Sequence, residues 1–583
     1  MRRGYPVRGL LAAVFAAGLV ALAGCATIPA SSDLQVVRSI PVGSRLASPA
    51  GPERGVDPFR LVRGFIEATG DPANGHAAAR AYLSRAAAAR WNDRTSLTVI
   101  KDAPGAAPQT GPTGGIRRIR VGGSRLGMLA ADGSFIPAAG TFSVSLDVVS
   151  EHGQWRISNP PPGVLVEAAA LQRNYRQVRV CFLDPDHNSL VPDLRWVPAQ
   201  PASMLPGRVL DLLLAGPSAA LAGAVRSVIP EGTRLRSNVL VSRSGRIVIN
   251  LSGLEALTEQ QRRLVAAQIV GSLDGLVPTP LRLLADGEPL VLGQAEWRAA
   301  DIASSLAPSG PRPGVPGQVV VGGRLRGLDG TPAPGPAGNG QLTVLSAARS
   351  NPDGKLLAAV VAGPGDHPQL RIGPPGGTLV TVPVHGPLNG AWDAVTMTRP
   401  TWRPSGTEAW TVINGRTVVG VAFSGAGPLV TYPIDATELT RLGSISQLRL
   451  SRDGVRVAAV INGRLVVAAV VSESGVVSLR HPQVLREGTL PPLASVDWAR
   501  PELLVVASAG PTPQVASVSV DGVIVRQLPS TNLTGPLTDI VAAPGREVLA
   551  ADATGLWAYS DTQQVWEPLL GGVGPGSVPL YPG

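Results

Sequence analysis

A pentapeptide occurs twice in this chain at a spacing of 48 residues: Val412-Ile413-Asn414-Gly415-Arg416 returns as Val460-Ile461-Asn462-Gly463-Arg464. Each Asn-Gly pair sits among β-branched residues, and both central positions of a type I′ turn need positive φ, so each copy specifies a tight hairpin. A polar, glycine-containing element stands upstream, at Ser350-Asn351-Pro352-Asp353-Gly354, Arg403-Pro404-Ser405-Gly406 and Ser451-Arg452-Asp453-Gly454. Weaker forms follow at Ala499-Arg500-Pro501 and Ala543-Pro544-Gly545-Arg546. Intervals of about 44 to 52 residues are the period of a propeller blade. A four-stranded blade cannot bury both faces alone, so neighbours must stack and the ring must close. Val319 to Leu325 forms a hairpin pattern ahead of the first full repeat, and Val578 to Tyr581 reads as a strand at the far end. Together they are expected to complete a shared blade, giving an all-β propeller of five or six blades over residues 318–583.

The other end of the chain fixes an address. Leu22-Ala23-Gly24-Cys25 closes an apolar run, Leu10 to Ala23, that follows Arg2, Arg3 and Arg8. The run has signal-peptide length and falls short of the roughly 20 apolar residues a spanning helix needs. Small residues at Ala23 and Gly24 admit a peptidase, and the Cys25 thiol can take a diacylglyceryl group as a thioether. Residues 1–24 therefore read as a lipoprotein signal peptide, Cys25 as the lipidation site, and residues 25–57, rich in Pro, Ser, Gly and Ala, as a tether. Two or more acyl chains anchor a protein durably. The longest later apolar run, Val457 to Val471, is interrupted by Asn462-Gly463-Arg464. The expected location is the extracytoplasmic face of the cell membrane.

Charge is distributed unevenly. Without the signal the chain holds 48 basic and 41 acidic residues, whereas Val320 to Gly583 holds 18 of each. The excess thus lies in the half nearest the lipid, which suits a body above anionic headgroups. No basic cluster carries interleaved aromatics, so nucleic acid is not an expected partner. After acylation of Cys25 a single thiol remains, Cys181, within the strand pattern Val178 to Leu183; it is read as a packed core residue, and no intramolecular disulfide can form.

Residues 58–165 open with Asp57 as N-cap and Pro58 at the first helical position, followed by Phe59, Val62, Phe65 and Ile66 at helical spacing. A second helix is expected from about Asn74 to Ala89, with Ala78, Tyr82 and Leu83 on one face. Alternation at Phe142, Val144, Leu146, Val148 and at Trp155, Ile157 marks strands before Pro160-Pro161-Pro162. Two helices and a curved sheet resemble an NTF2-like α+β cone.

Residues 175–290 begin with a strand ending in Asp184-Pro185-Asp186-His187-Asn188. Its two carboxylates and imidazole have metal-binding chemistry, but an Asp-Pro turn explains them without an ion, and no metal is expected. A helix, Leu205 to Ala215, stops at Gly216-Pro217; strands around Leu235 to Val241 and Ile247 to Leu251 flank Ser244-Gly245. Thr258-Glu259-Gln260-Gln261 is a capping box opening a helix with Val265, Ile269 and Leu273 on one stripe. A last strand, Leu281 to Leu284, precedes Asp286-Gly287. Phe182-Leu183-Asp184, Leu213-Leu214-Ala215-Gly216-Pro217, Ile229-Pro230-Glu231-Gly232-Thr233, Val248-Ile249-Asn250-Leu251-Ser252 and Ala285-Asp286-Gly287 stand in an order and spacing that resemble the GerMN domain, an α/β module. The resemblance implies binding or assembly without known catalysis. Residues 307–317 form a Pro/Gly linker to the propeller.

The order of lipobox, NTF2-like unit, GerMN unit and propeller is similar to the LpqB lipoproteins of actinobacteria. That resemblance implies an accessory lipoprotein that contacts the extracellular domain of the sensor kinase MtrB, partner of the regulator MtrA, in cell-wall homeostasis, division and envelope stress. The alternative is a module that holds a cell-wall fragment or lipid precursor without touching a kinase. An enzyme is not expected, and neither catalytic residues nor cofactors are assigned. HExxH, CxxC, GxSxG, phosphate-loop and SxxK patterns are absent, and His76, His152, His187, His367, His385 and His481 are scattered over separate units.

Overall fold

The computed structural model describes residues 51–109, 115–239, 247–306, 310–350, 352–383, 395–423, 428–573 and 576–583. Cys25, the signal peptide, most of the tether, the Ser244-Gly245 turn, Asn351 and His385 lie outside the described residues.

Helix α1 (Pro58–Thr69) starts where the N-cap rule places it: the Asp57 carboxylate accepts from the amides of Phe59 at 3.0 Å and Arg60 at 3.1 Å. Leu61, Val62, Phe65 and Ile66 face the core, while Phe59 is exposed, so Leu61 takes the place expected for Phe59 on the buried stripe. The single helix expected over Asn74 to Ala89 is instead two short ones, α2 (Ala77–Arg80) and α3 (Arg85–Arg90). Leu83 leaves the helical path to bridge Ile157, and the Ser84 hydroxyl then caps α3 by accepting from the Ala87 amide at 3.2 Å. Tertiary pairing overrides helix propensity there.

Against these helices lies a sheet in the order β5 (Gln154–Ile157), β4 (Phe135–Glu151), β3 (Arg117–Leu129), β1 (Leu97–Ile100), β6 (Val164–Glu167), with β2 (Gly105–Gln109) also paired to β3. Ile119, Val121, Leu146 and Val148 alternate onto the helix-covered face and are buried.

Helix α4 (Ala168–Asn174) leads into the second unit. Its β7 (Tyr175–Leu183) and β8 (Leu190–Pro198) form an antiparallel ribbon, and helices α5 (Leu205–Ala215) and α6 (Glu259–Leu273) fill the core. The Thr258–Gln261 capping box forms. Among the described residues the strand expected at Leu235 to Val241 is β9 (Arg234–Leu235). Strands β10 (Ile247–Ser252) and β11 (Leu281–Ala285) pair in parallel, which the α6 crossover between them requires. The unit does not end at β11. Asp286 and Gly287, both at positive φ, turn the chain back into β12 (Glu288–Pro289) and β13 (Glu296–Trp297), which pair antiparallel with β11.

The final unit is a six-bladed propeller. Blades 2 to 6 each contain four antiparallel strands, and their innermost strands are Val344–Arg349, Thr401–Trp402, Ile445–Leu450, Leu493–Arg500 and Asp539–Val541. Blade 1 combines both ends of the unit: Val578–Leu580 pairs with Gln318–Val321, which pairs with Arg324–Gly327. The closing strand contacts the inner strands of blades 2 and 6 and so completes the ring. The polar-glycine elements lie at the turns from first to second strand in blades 2 to 6. Asn414 and Asn462 adopt φ of 50° and 49°, and each side chain also clamps the loop entering the blade. Asn414 Oδ1 accepts from Val395 and Thr396 amides at 2.9 and 3.0 Å, and Asn462 Oδ1 from Ser444 at 3.1 Å. Adjacent blades are locked by buried indoles: Trp402 Nε1 donates to Ala348 O and Trp498 Nε1 to Arg449 O, both at 3.0 Å.

Candidate functional site

Joints made largely by charged side chains join the propeller to the first two units. Trp196 of β8 donates from Nε1 to Asp521 Oδ2 at 2.9 Å, and Gln177 of β7 donates to the same oxygen at 3.0 Å. Beside them Val523, from the last hairpin of blade 5, is buried in the core of the N-terminal unit. The Arg195 guanidinium bonds Asp193 at 2.7 Å and Asp132, from the β3–β4 turn, at 3.0 Å, so one buried cation ties the first unit to the second. Arg456, buried in blade 4, donates to Pro192 O at 2.6 Å and faces Asp453 at 3.5 Å. Burial pushes the Asp453 carboxyl up, against the pull of Arg456.

The Asp184-Pro185-Asp186-His187-Asn188 segment belongs to this seam. Asp184 is buried and accepts from the amides of Asp186, His187 and Ser189 at 3.0, 2.7 and 2.7 Å, and from the Ser189 hydroxyl. Asp186 reaches across to Arg403 of blade 3 at 2.7 Å. One candidate ligand atom each from Asp184, Asp186 and His187 falls within a 4.8 Å span. Both carboxylates already have hydrogen-bonding work in the turn and the joint.

Where the three units meet, Ser134, Asp193, Ser218, Arg456, His481 and Asp521 help line a cavity of about 50 Å³. A few waters fit such a volume. Asp193 is engaged there by Arg195 and Ser218, and Asp521 by Trp196 and Gln177.

A second buried network runs down the propeller axis. Arg399 donates from Nη1 to Asp539 Oδ2 and to Pro579 O, each at 2.7 Å, and Asp497 lies 3.9 Å from its Nη2. Ser495 bonds Asp539 at 2.5 Å. Arg452 donates to Pro582 O and Ala542 O, so the closing C-terminal segment is held by buried guanidinium groups. Burial pushes the Arg449 and Arg452 guanidinium groups down. Arginines that read as plain surface in a one-dimensional sequence are here structural cations. Their spacing carries no periodic signal, and only the tertiary fold brings their partners in.

Cys181 sits in β7 as a buried residue, its thiol pushed up to about 12 by burial. His76 is buried against Trp91, His187 lies by Asp184 and His481 lines the junction cavity, so these three occupy separate places. No helix among the described residues is long and apolar enough to cross a membrane.

Comparison with known proteins divides the chain along the same lines. Residues 51–172 match the family model described as Lipoprotein LpqB, N-terminal domain, and residues 317–582 the Lipoprotein LpqB beta-propeller domain. Residues 179–291 match Sporulation and spore germination, the Germane model, which corresponds to the GerMN reading. A Lipoprotein LpqB from Rhodococcus jostii is 32% identical over 600 residues, covering 99% of this chain and 98% of the relative. The chain belongs to the LpqB lipoprotein family. A family member from Mycolicibacterium smegmatis is likewise 32% identical over 600 residues, covering 98% of this chain and 100% of the relative. Among solved structures, a chain of a nidogen/laminin complex aligns with 43% of this chain and 92% of its own length, at 9% identity and a TM-score of 0.32.

Proposed function

We propose that this LpqB-family chain is a non-enzymatic accessory lipoprotein, held by acylated Cys25 on the extracytoplasmic face of the cell membrane. There its propeller contacts the extracellular domain of an MtrB-type sensor kinase and biases signalling in cell-wall homeostasis and division. One observation carries the reading. The joints to the first two units use Arg403, Val455, Glu502 and Asp521, all in turns from first to second or third to fourth strand in blades 3 to 5. Strands alternate in direction, so the second-to-third turns, including Asn414-Gly415 and Asn462-Gly463, point to the opposite side, which those joints leave uncovered. A ligand shifts a two-state receptor only through different affinity for its states. A body braced by buried joints can press one fixed surface on a partner. The lipoprotein names of the relatives support the anchor.

The test is binding of the body lacking the lipid anchor to the purified kinase ectodomain. Saturable binding that is weakened by substitutions in the loops around Asn414 and Asn462 supports the proposal. No binding, together with retention on cell-wall polymer, would move the assignment to a wall-fragment or lipid-precursor receptor. Cys25→Ala should release the protein from membranes, and persistence in the membrane fraction would count against the tether.

A further inference from the structure

The charge excess is concentrated in the N-terminal unit and has a direction. Residues 58–165 hold 12 Arg and Lys against 7 Asp and Glu, while residues 318–583 hold 18 of each sign. The β3–β4–β5 register sorts part of that excess onto one face. Arg118 stands opposite Asp147, Arg120 opposite Ser145, Gly122 opposite Ser143 and Val149 opposite Arg156. Ile119, Val121, Leu146 and Val148, at the alternate positions, point into the core. The outward face therefore presents Arg118, Arg120 and Arg156 beside the hydroxyls of Ser143 and Ser145. Of the two acidic residues at these alternate positions, Asp147 is held by Arg118 through bonds of 2.6 and 2.9 Å, and Glu151, at the end of the strand opposite Gln154, accepts from the Arg85 amide at 3.4 Å. Arg156 spends donors on Gln154 Oε1 and Trp155 O at 2.9 and 2.7 Å, which neutralise no charge. Arg120 is exposed.

We infer that this face of the N-terminal sheet rests on the anionic phospholipid headgroups of the membrane that carries the anchor. The inference depends on the Cys25 anchor under Proposed function. Guanidinium groups and hydroxyls both donate to phosphate, and each basic residue near an anionic surface adds attraction that decays within a Debye length. The N-terminal unit follows directly from the anchor. Residue Gly51 is 26 positions beyond Cys25, so even a fully extended chain holds it within about 90 Å of the lipid. Weak affinity for the surface then suffices, because the encounter is intramolecular. The electrically balanced propeller gains no comparable attraction and is left facing away from the bilayer.

The experiment uses the full acylated chain in vesicles of phosphatidylglycerol with phosphatidylcholine and in vesicles of phosphatidylcholine alone. Cys181 is buried, so Ser145→Cys provides a single surface thiol for an environment-sensitive dye, with Thr562→Cys on the propeller as the reference position. On anionic vesicles iodide quenching of the Ser145→Cys probe should fall by about threefold or more relative to phosphatidylcholine, while the Thr562→Cys probe is unchanged. Salt at about 1 M should abolish the difference, as screening at a Debye length of ~3 Å demands. Adding Arg120→Glu and Arg156→Glu should abolish it as well. Equal quenching in both vesicle types, or protection that survives the charge reversals, overturns the inference. Failure of the acylated chain to float with either vesicle would instead count against the anchor, and the two failures are separable.

Discussion

Trp196 and Asp521, 325 positions apart in sequence, meet through an indole to carboxylate hydrogen bond of 2.9 Å. That bond, with Gln177 on the same oxygen and Val523 buried alongside, fastens blade 5 to both preceding units. Asp521→Ala removes a charged acceptor from the buried Trp196 indole and the half-buried Gln177 amide and should destabilise the joint by about 2 to 3 kcal/mol. In calorimetry the propeller should then melt separately from the first two units. An unaltered single transition would show that the clasp does not couple them.

Arg399 neutralises the axial carboxylates Asp539 and Asp497. Replacing it with Met keeps the bulk and strands the acids, at a cost of about 3 to 5 kcal/mol. Asp539→Asn keeps a group able to accept from Ser495 and should cost less. Urea midpoints of the two variants should fall in that order; the reverse order would remove the ion pair from the account of ring stability.

Deleting Val578 to Gly583 withdraws the inner strand of blade 1 and the carbonyls that Arg399 and Arg452 hold. The exposed edge of Gln318–Val321 then becomes a template for other chains. Loss of cooperative unfolding and a rise in light scattering are expected. A shortened chain that stays monomeric with an unchanged midpoint would contradict closure by this strand.

Burial raises the Cys181 thiol from 9.0 to about 12. The unfolded thiol ionises first as pH climbs, so the folded state binds the extra proton and loses stability above pH 9, by about 1.4 kcal/mol per pH unit until its own pKa near 12. Below pH 9 the thiol contributes no slope. Comparing stability at pH 8 and about 10.5 in wild type and Cys181→Ala isolates this residue from the tyrosines that titrate in the same range. Equal alkaline losses in both proteins would place the effect elsewhere. The buried thiol should also resist thiol reagents at neutral pH except through opening of the unit.

Much of the architecture was legible because it rests on short-range chemistry. Positive φ at Asn414 and Asn462 demanded hairpins, the Thr258 box and the Asp57-Pro58 pair demanded helix starts, and a blade-length period demanded a closed ring. Where a distant strand competed with local preference, the pattern misled: Leu83 abandoned its helix for Ile157, and Leu61 displaced Phe59 from the buried stripe. The Asp184 segment was legible as a turn, but its reach to Arg403 was not.

By itself, then, the sequence determined the order of the units, the helix caps, the hairpin turns and the two chain segments that share blade 1. Tertiary structure alone decided that Arg195, Arg399, Arg452 and Arg456 are buried rather than solvated, and that Asp521 serves Trp196. Local signals arise from φ/ψ and hydrogen bonds a few residues apart, which neighbouring letters encode. A buried cation takes its meaning from partners that folding brings close: beside the near neighbours Asp193 and Asp453, Arg195 reaches Asp132 O, 63 residues away, and Arg456 reaches Pro192 O, 264 residues away.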